Sequence, residues 1–593
     1  MRRGATAKRA SVALALAAFV LGAGALVTAQ TAPQDVLLQA MRDELDRSHK
    51  LSVPNLEAPY FIQYAIDEGE NFEVSATLGG IVTRRRDRFR LPEISVRVGD
   101  YKFDNTNYFA GGFGFGARYD LGRFPVEDDY PVLRRFLWLE TDAAYKAAVE
   151  AISRKRAALR NLTVSEQIND FAHAEPVKVY RDLHRLTVDE REWTDRVRSL
   201  SGIFDRFPEV RASDVMLESG EGGYYLVTSE GTEVRTPEGS SYLRVRAAAQ
   251  APDGMMVRDA VVFHSLEPAR MPLDPELRRG VTAVAENVVA LAHAPRGDDY
   301  NGPVLFEGVA AAQLLAEVLG RNLALTRRPV TEPGRGGGFN GSELEGRQGA
   351  RILPEWMDVV DDPTQAEWRG RPLFGSYEVD REGVPARPLR LVEKGVLKDF
   401  LRTRQPMRGY EGSNGRARLP GSFGTSRAGP GNLFVSAAEG LPPAELKKQL
   451  VDLIRTRNKP YGILVRKMDF PSSASFEEVR RMLSGSQPSG ARPVSLPILA
   501  YRIYPDGREE LVRGLRFRGL NARSLKDILA AGSDAAVFDY LDNGAPFALM
   551  GAGNFAAETC VVAPSVLIDD LELQPLEDEH PRLPVVPPPE LAH

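Results

Sequence analysis

The chain of 593 residues contains one cysteine, Cys560, and seven histidines. A single thiol cannot close a disulfide within the chain, and it rules out the cysteine-rich zinc sites. The histidines (His49, His173, His184, His264, His293, His580 and His593) are scattered, and no two lie within five residues of each other. No helix can therefore present a histidine pair at metal-ligand spacing. Positive charge is not in excess either: 76 Lys and Arg stand against 81 Asp and Glu, a formal net charge of −5. The basic footprint that nucleic-acid binding requires is missing, and Arg84-Arg85-Arg86 reads as a solvated strand face. Long apolar runs are lacking beyond the N-terminus, which excludes a further membrane span. The one such run, Val12 to Val27, follows Arg2, Arg3, Lys8 and Arg9 and precedes the small residues Val27-Thr28-Ala29. This is the pattern of a cleavable signal peptide over residues 1–29. It predicts a periplasmic or secreted protein without stable membrane insertion.

The remainder has an ordinary globular balance, 43% hydrophobic and 26% charged, enough for several cores. Its patterning predicts an α+β fold in three units. Residues 30–186 form an N-terminal unit: strands around Phe61–Ile66 and Ile94–Val98, a Gly/Phe-rich loop over 107–118, and a long charged helix from Leu137 to Leu162. Residues 187–294 form a middle unit. Its first helix is expected to be capped by Thr187 with Glu190 closing a capping box. Five strands follow, at 210–217, 223–229, 233–236, 242–250 and 255–263, then a helix over 275–292. Residues 303–575 form a large C-terminal unit of mixed and antiparallel sheet with helices at 309–319, 442–456 and 474–483. Residues 576–593 are Pro-rich and read as a flexible tail.

Three ordered stretches carry a resemblance. Gly302-Pro303-Val304-Leu305-Phe306-Glu307 leads into the apolar helix Ala310-Ala311-Ala312-Gln313-Leu314-Leu315. Asp361-Asp362-Pro363-Thr364, Gly375 to Pro385, Leu391 to Leu397 and Ser413-Asn414-Gly415-Arg416 follow. Ala500 to Ile503, Val512-Arg513-Gly514 and Ala563 to Leu567 come last. Over about 270 residues this order resembles the TldD/PmbA family, once called modulators of DNA gyrase and known as metallopeptidases. The N-terminal half resembles the family only in layout.

The resemblance implies a helix bearing His-Glu-x-x-Gly-His, with two histidines on zinc, a glutamate acting on the zinc-bound water, and a cysteine near the C-terminus as third ligand. Here the segment reads Ala316-Glu317-Val318-Leu319-Gly320-Arg321. Glu317 is retained, as a vestige of the catalytic glutamate. Ala316 and Arg321 occupy the histidine positions; alanine has no donor atom and the guanidinium cannot ligate. Counting back from Pro564 places the cysteine position at Met550, a poor zinc donor. Cys560 is the one alternative thiol, or else a small buried hydrophobe. Glu317 and Arg321 are spaced for an i,i+4 ion pair, either buried in the site or on a solvated surface. Asp358, Asp361 and Asp362 read as a turn satisfying its own backbone rather than a cation site.

These residues predict a pseudoenzyme: no metal cofactor, peptide as the bound substrate, and a homo- or heterodimer with a HExxGH-bearing homologue that degrades short or unfolded peptides. Two alternatives stand beside it. One is an active metallopeptidase with a substitute ligand set such as Glu317, Cys560 and a distant histidine. The other is a non-enzymatic periplasmic peptide-binding protein.

Overall fold

The computed structural model of the chain describes residues 35–50, 53–54, 56–109, 124–160, 168–331, 341–420, 425–469, 494–542 and 556–576. The signal peptide, most of the Gly/Phe-rich loop expected at 107–118, the helix expected at 474–483, Met550 and residues 577–593 lie outside them.

The N-terminal half is one sheet with helices on one face. In chain order it contains α1 (Val36–Ser48), β1 (Pro59–Thr77), β2 (Gly80–Val98), α2 (Tyr130–Leu159), β3 (Lys178–Tyr180), α3 (Glu190–Ser201), β4 (Ala212–Thr228), β5 (Glu233–Gln250), β6 (Met256–Ser265) and α4 (Asp274–His293). The strand order is β2-β1-β4-β5-β3, with β6 also paired to β5. This corrects the division at residue 187: β1 from one stretch pairs with β4 from the other, antiparallel from Gln63↔Thr228 to Ala76↔Val215. The strands are also longer than expected. Polar and glycine-rich residues 218–222 fall between two expected strands, yet pairing runs straight through them. Glycine is required there, because a Cβ on Gly222 would sit 1.8 Å from the Glu68 carbonyl oxygen. The strands approach too closely for any side chain at that point.

Alternation along β4 sends Val215 and Leu217 to the core under α3 and α4, and Tyr225 and Val227 to the core under α1 and α2. Met216, Tyr224 and Leu226 face the other way, toward the C-terminal half. Helix starts differ from expectation for local reasons. α2 begins at Tyr130, seven residues early, because Asp129 caps the Val132 N–H and Pro131 suits the first turn. α3 is capped by Asp189, which accepts from the Glu192 N–H, in place of Thr187.

The C-terminal half runs β7 (Tyr300–Phe306), α5 (Val309–Val318), β8 (Met357–Asp361), β9 (Leu389–Glu393), β10 (Val396–Leu397), β11 (Ala417–Pro420), β12 (Ser426–Ala428), β13 (Asn432–Ala437), α6 (Pro443–Thr456), β14 (Gly462–Met468), β15 (Pro497–Ile503), β16 (Glu509–Val512), β17 (Leu515–Arg518), β18 (Ile528–Ala531), β19 (Ala536–Asp542), β20 (Ala557–Ala563) and β21 (Val566–Pro575). One sheet has the order β16-β15-β14-β7-β21-β17, with β18 also on β21; the other is β10-β9-β8-β13-β20-β19. Helix α5 lies in the core that both sheets share, packed on β14, β19 and β20. Eight of its ten residues are buried, which is why its sequence is apolar on all sides. Helix α6 covers the far face of the first sheet through Leu446, Leu450 and Ile454.

Two of the resemblance motifs lock together inside this half. The fully buried Arg416 donates through Nε to Asp361 and through NH2 to the Arg387 carbonyl, 2.6 Å away. Asp361 Oδ1 also accepts the Gly431 N–H at 2.9 Å. Asp358 takes the Lys394 N–H, and Asp362 the Thr364 N–H and hydroxyl. Only Asp362 satisfies its own turn, as expected; Asp358 and Asp361 are held by groups far along the chain.

The two halves dock through buried charge. Arg404 donates to the Ala172 carbonyl at 2.9 Å and to Glu230 at 2.7 Å, stacked 4.0 Å over the Phe171 ring. Arg381 grips Asp67 with both guanidinium nitrogens, at 3.0 and 2.6 Å, over the ring of Tyr224.

Candidate functional site

Helix α5 carries the residues expected to matter. Ala316 is buried against both sheets. The Glu317 carboxylate accepts three hydrogen bonds: Gln313 Nε2 at 2.9 Å and Ser495 Oγ at 2.7 Å on one oxygen, and the Ser495 N–H at 2.8 Å on the other. Gln313 Nε2 also donates to the Asp469 carbonyl at 2.9 Å. The Asp469 N–H in turn reaches the Leu496 carbonyl at 2.6 Å. Glu317 and Gln313 thus hold two strand ends, at 469 and 495, against the helix. The ion pair expected between Glu317 and Arg321 does not form; the carboxylate is engaged by neutral donors. Arg321 sits in the 3-10 turn Gly320–Leu323 that ends the helix. Its charge acts electrostatically on Tyr540 and Arg427, as does that of Asp542. Tyr540 is buried, which holds its phenol well above the usual range and therefore protonated.

Cys560 is on the wrong side. It pairs with Asp539 across β19 and β20. Alternation points Val561 toward Ala316 and Cys560 to the opposite face, among Tyr242, Leu373, Phe374 and Leu541. Burial first, and the Asp539 carboxylate second, push the Cys560 thiol far up. It remains a neutral thiol, whereas zinc takes the thiolate. Among the described residues no three His, Cys, Asp or Glu side chains converge on one point. The residues present around α5 therefore do not fit a zinc ion: Ala316 offers no donor, Arg321 offers a cation, and Cys560 faces away. Met550 lies outside the described residues.

A cleft of about 490 Å³ opens beside the helix, lined by Gln313, His264, Arg371, Phe374, Phe538 and Lys467, among others. It lies between β6 and β19, which are both edge strands. His264 is pushed down to about 3 by burial, with Arg371 adding to the shift, so it is neutral there. A second cleft of about 580 Å³ is rich in carboxylates, including Asp67, Glu73, Glu218 and Glu558. Sequence reasoning did not single out Gln313, Ser495, Arg427, Tyr540 or Asp542. Only Gln313 had a legible signal: a lone amide in an apolar helix, one turn before Glu317.

Residues 300–471 match the family model described as the PmbA/TldA metallopeptidase C-terminal domain, the stretch that holds β7, α5 and the Asp361–Arg416 lock. The chain carries the C-terminal domain of the TldD/PmbA family. A metalloprotease of Archaeoglobus fulgidus is 38% identical over 78 residues, 13% of this chain and 17% of that protein. One from Methanothermobacter thermautotrophicus is 44% identical over 64 residues, 11% of this chain and 13% of that protein. The chain thus spans less than a fifth of the length of the curated relatives it matches. Solved structures extend the likeness in fold to nearly the whole chain. TldE from Thermococcus kodakarensis superposes with a TM-score of 0.57 at 14% identity, covering 90% of this chain and 99% of that one. A Thermotoga maritima protein described as a modulator of a DNA gyrase gives 0.56 at 15%, covering 90% and 99%. The TldD/PmbA fold of this chain is therefore α+β throughout.

Proposed function

We propose that this chain is a zinc-free, non-catalytic TldD/PmbA protein that binds extended peptides and works as the metal-free subunit beside a zinc-bearing homologue. The observation that carries the reading is the chemistry at α5. A catalytic zinc needs three protein donors and an open position to make hydroxide near neutral pH. The helix supplies a methyl group at 316 and a guanidinium at 321, and the thiol at 560 lies across the sheet. Glu317, whose counterpart would act on metal-bound water, instead spends both oxygens on Gln313 and Ser495. The peptide part of the reading is supported by the cleft between two open strand edges, where an extended segment can pair by main-chain hydrogen bonds. Export through the N-terminal segment would place this work in the periplasm or outside the cell.

The test is zinc content by plasma mass spectrometry on the purified mature chain, alone and with a co-purifying HExxGH-bearing homologue. The expected result is near-zero zinc alone and about one per complex. About one zinc per isolated chain would overturn the proposal.

A further inference from the structure

Arg371 and Asp539 meet in the wall of the cleft beside α5, which His264 and Phe374 also line. Arg371 sits on the two-residue strand Arg371–Pro372, paired with Glu367–Trp368. Its NH2 donates to Asp539 Oδ2 at 2.5 Å. Alternation along β19 sends Phe538 and Tyr540 to the core around α5. Val537, Asp539 and Leu541 go to the opposite face, with Phe374. The Asp539 side chain is 5% exposed and that of Arg371 is 51% exposed. Each member of this pair has hydrogen-bonding capacity left over. Asp539 Oδ1 is buried and accepts no hydrogen bond. Besides Arg371, the Cys560 thiol acts on the carboxylate, and a thiol is a weak donor. The other N–H groups of Arg371 have no protein partner among the described residues. A buried carboxylate oxygen without a strong donor is costly, and in a cleft wall it marks a place where a ligand completes the set.

The pair offers donors and an acceptor side by side, and its charges cancel. A carboxamide is the complement: its carbonyl accepts from the guanidinium and its NH2 donates to the carboxylate. An ammonium that reached Asp539 would lie against Arg371, and a carboxylate that reached Arg371 would lie against Asp539. Each charged group thus meets one like charge. An apolar side chain leaves Oδ1 without a donor. The His264 ring, 5.0 Å from that of Phe374, is held neutral and adds no charge to the wall. Among the described residues β19 pairs with β20 alone, so its other edge is open. A peptide strand added to that edge places one side chain across from Asp539 on the same face, about 5 Å away between Cβ atoms. We propose that Arg371 and Asp539 form a subsite for a side-chain carboxamide, glutamine or asparagine, of an extended peptide in this cleft. The subsite rests on the peptide-binding reading above and adds which side chain the peptide carries.

The test is calorimetric titration of the purified chain with capped pentapeptides, acetyl-Ala-Ala-X-Ala-Ala-amide, in which X is glutamine, asparagine, methionine, glutamate or lysine. The glutamine or the asparagine peptide is expected to bind about 10-fold more tightly than the other three. Equal affinity for all five overturns the subsite while leaving peptide binding intact, and so does a preference for methionine, glutamate or lysine. Binding of none overturns both readings. Asp539→Leu fills the space without an acceptor and should bring the carboxamide peptides down to the affinity of the methionine peptide. A carboxamide preference kept in that variant overturns the subsite. The comparison on the unaltered chain decides the matter whether or not the variant folds.

Discussion

Replacing Glu317 with alanine separates a structural glutamate from a catalytic one. The substitution deletes an acceptor that holds three donors at 2.7 to 2.9 Å. Gln313 retains the Asp469 carbonyl, but the Ser495 N–H and hydroxyl lose their partner in a residue that is 3% exposed. Hydrogen bonds to a charged group contribute about 1.5–3 kcal/mol each, and a buried donor left unmade costs about 1–3 kcal/mol. Against this, the alanine variant no longer desolvates a carboxylate. The balance is a loss of about 2–4 kcal/mol, or roughly 5–10 °C in the melting transition of a unit of this size. Calorimetry reads the shift, and amide hydrogen exchange at Ser495 shows where it arises. Glu317→Gln should fall in between: it keeps the shape, but its NH2 meets a donor at one of the two oxygen positions. A catalytic glutamate behaves the other way, since removing an active-site charge is ordinarily neutral or stabilising. Melting of Glu317→Ala within about 0.5 kcal/mol of the parent chain, with Ser495 exchange unchanged, would refute the clamp.

Acid should weaken the protein through His264. Its folded pKa is pushed down to about 3 by burial and Arg371, against about 6.5 unfolded. The unfolded chain therefore takes up the proton first. The contribution is fully present above about pH 6.5 and is lost toward pH 3, at up to ~1.4 kcal/mol per pH unit. His264→Phe should flatten that part of the stability–pH curve, and equal slopes in parent and variant would refute it. Arg404→Ala should cost about 3–5 kcal/mol, because it leaves the buried Glu230 carboxylate without its cation and removes the stack on Phe171. Limited proteolysis should then find the junction of the two halves opened.

Much of the fold was legible because its signals are local. The apolar run at 310–315 announced α5, and the helix at 443–456 and the strands at 462–468 and 497–503 fall within a residue or two of expectation. What failed was whatever depended on a distant partner. Residues 218–222 look like a break between two strands until β1 and β5 pair on either side of them. The boundary at 187 looked sound because each stretch has its own strands and helices, but strand alternation says which face is buried and not which strand lies alongside. At the site, spacing suggested that Glu317 would meet Arg321, four residues away. It meets Ser495 instead, 178 residues on.

The amino-acid sequence by itself determined the inventory of donors: no imidazole at 316 or 321, no histidine pair anywhere, and one thiol. That follows from residue type alone, because an alanine lacks a ligand atom in any fold. Only the tertiary structure decided orientation. Pairing of β19 with β20 turns Cys560 to the face away from α5, and Ser495 reaches the helix because the strand that follows it pairs with β14. These meetings are set by register and packing between segments far apart in the chain, and no local pattern encodes them.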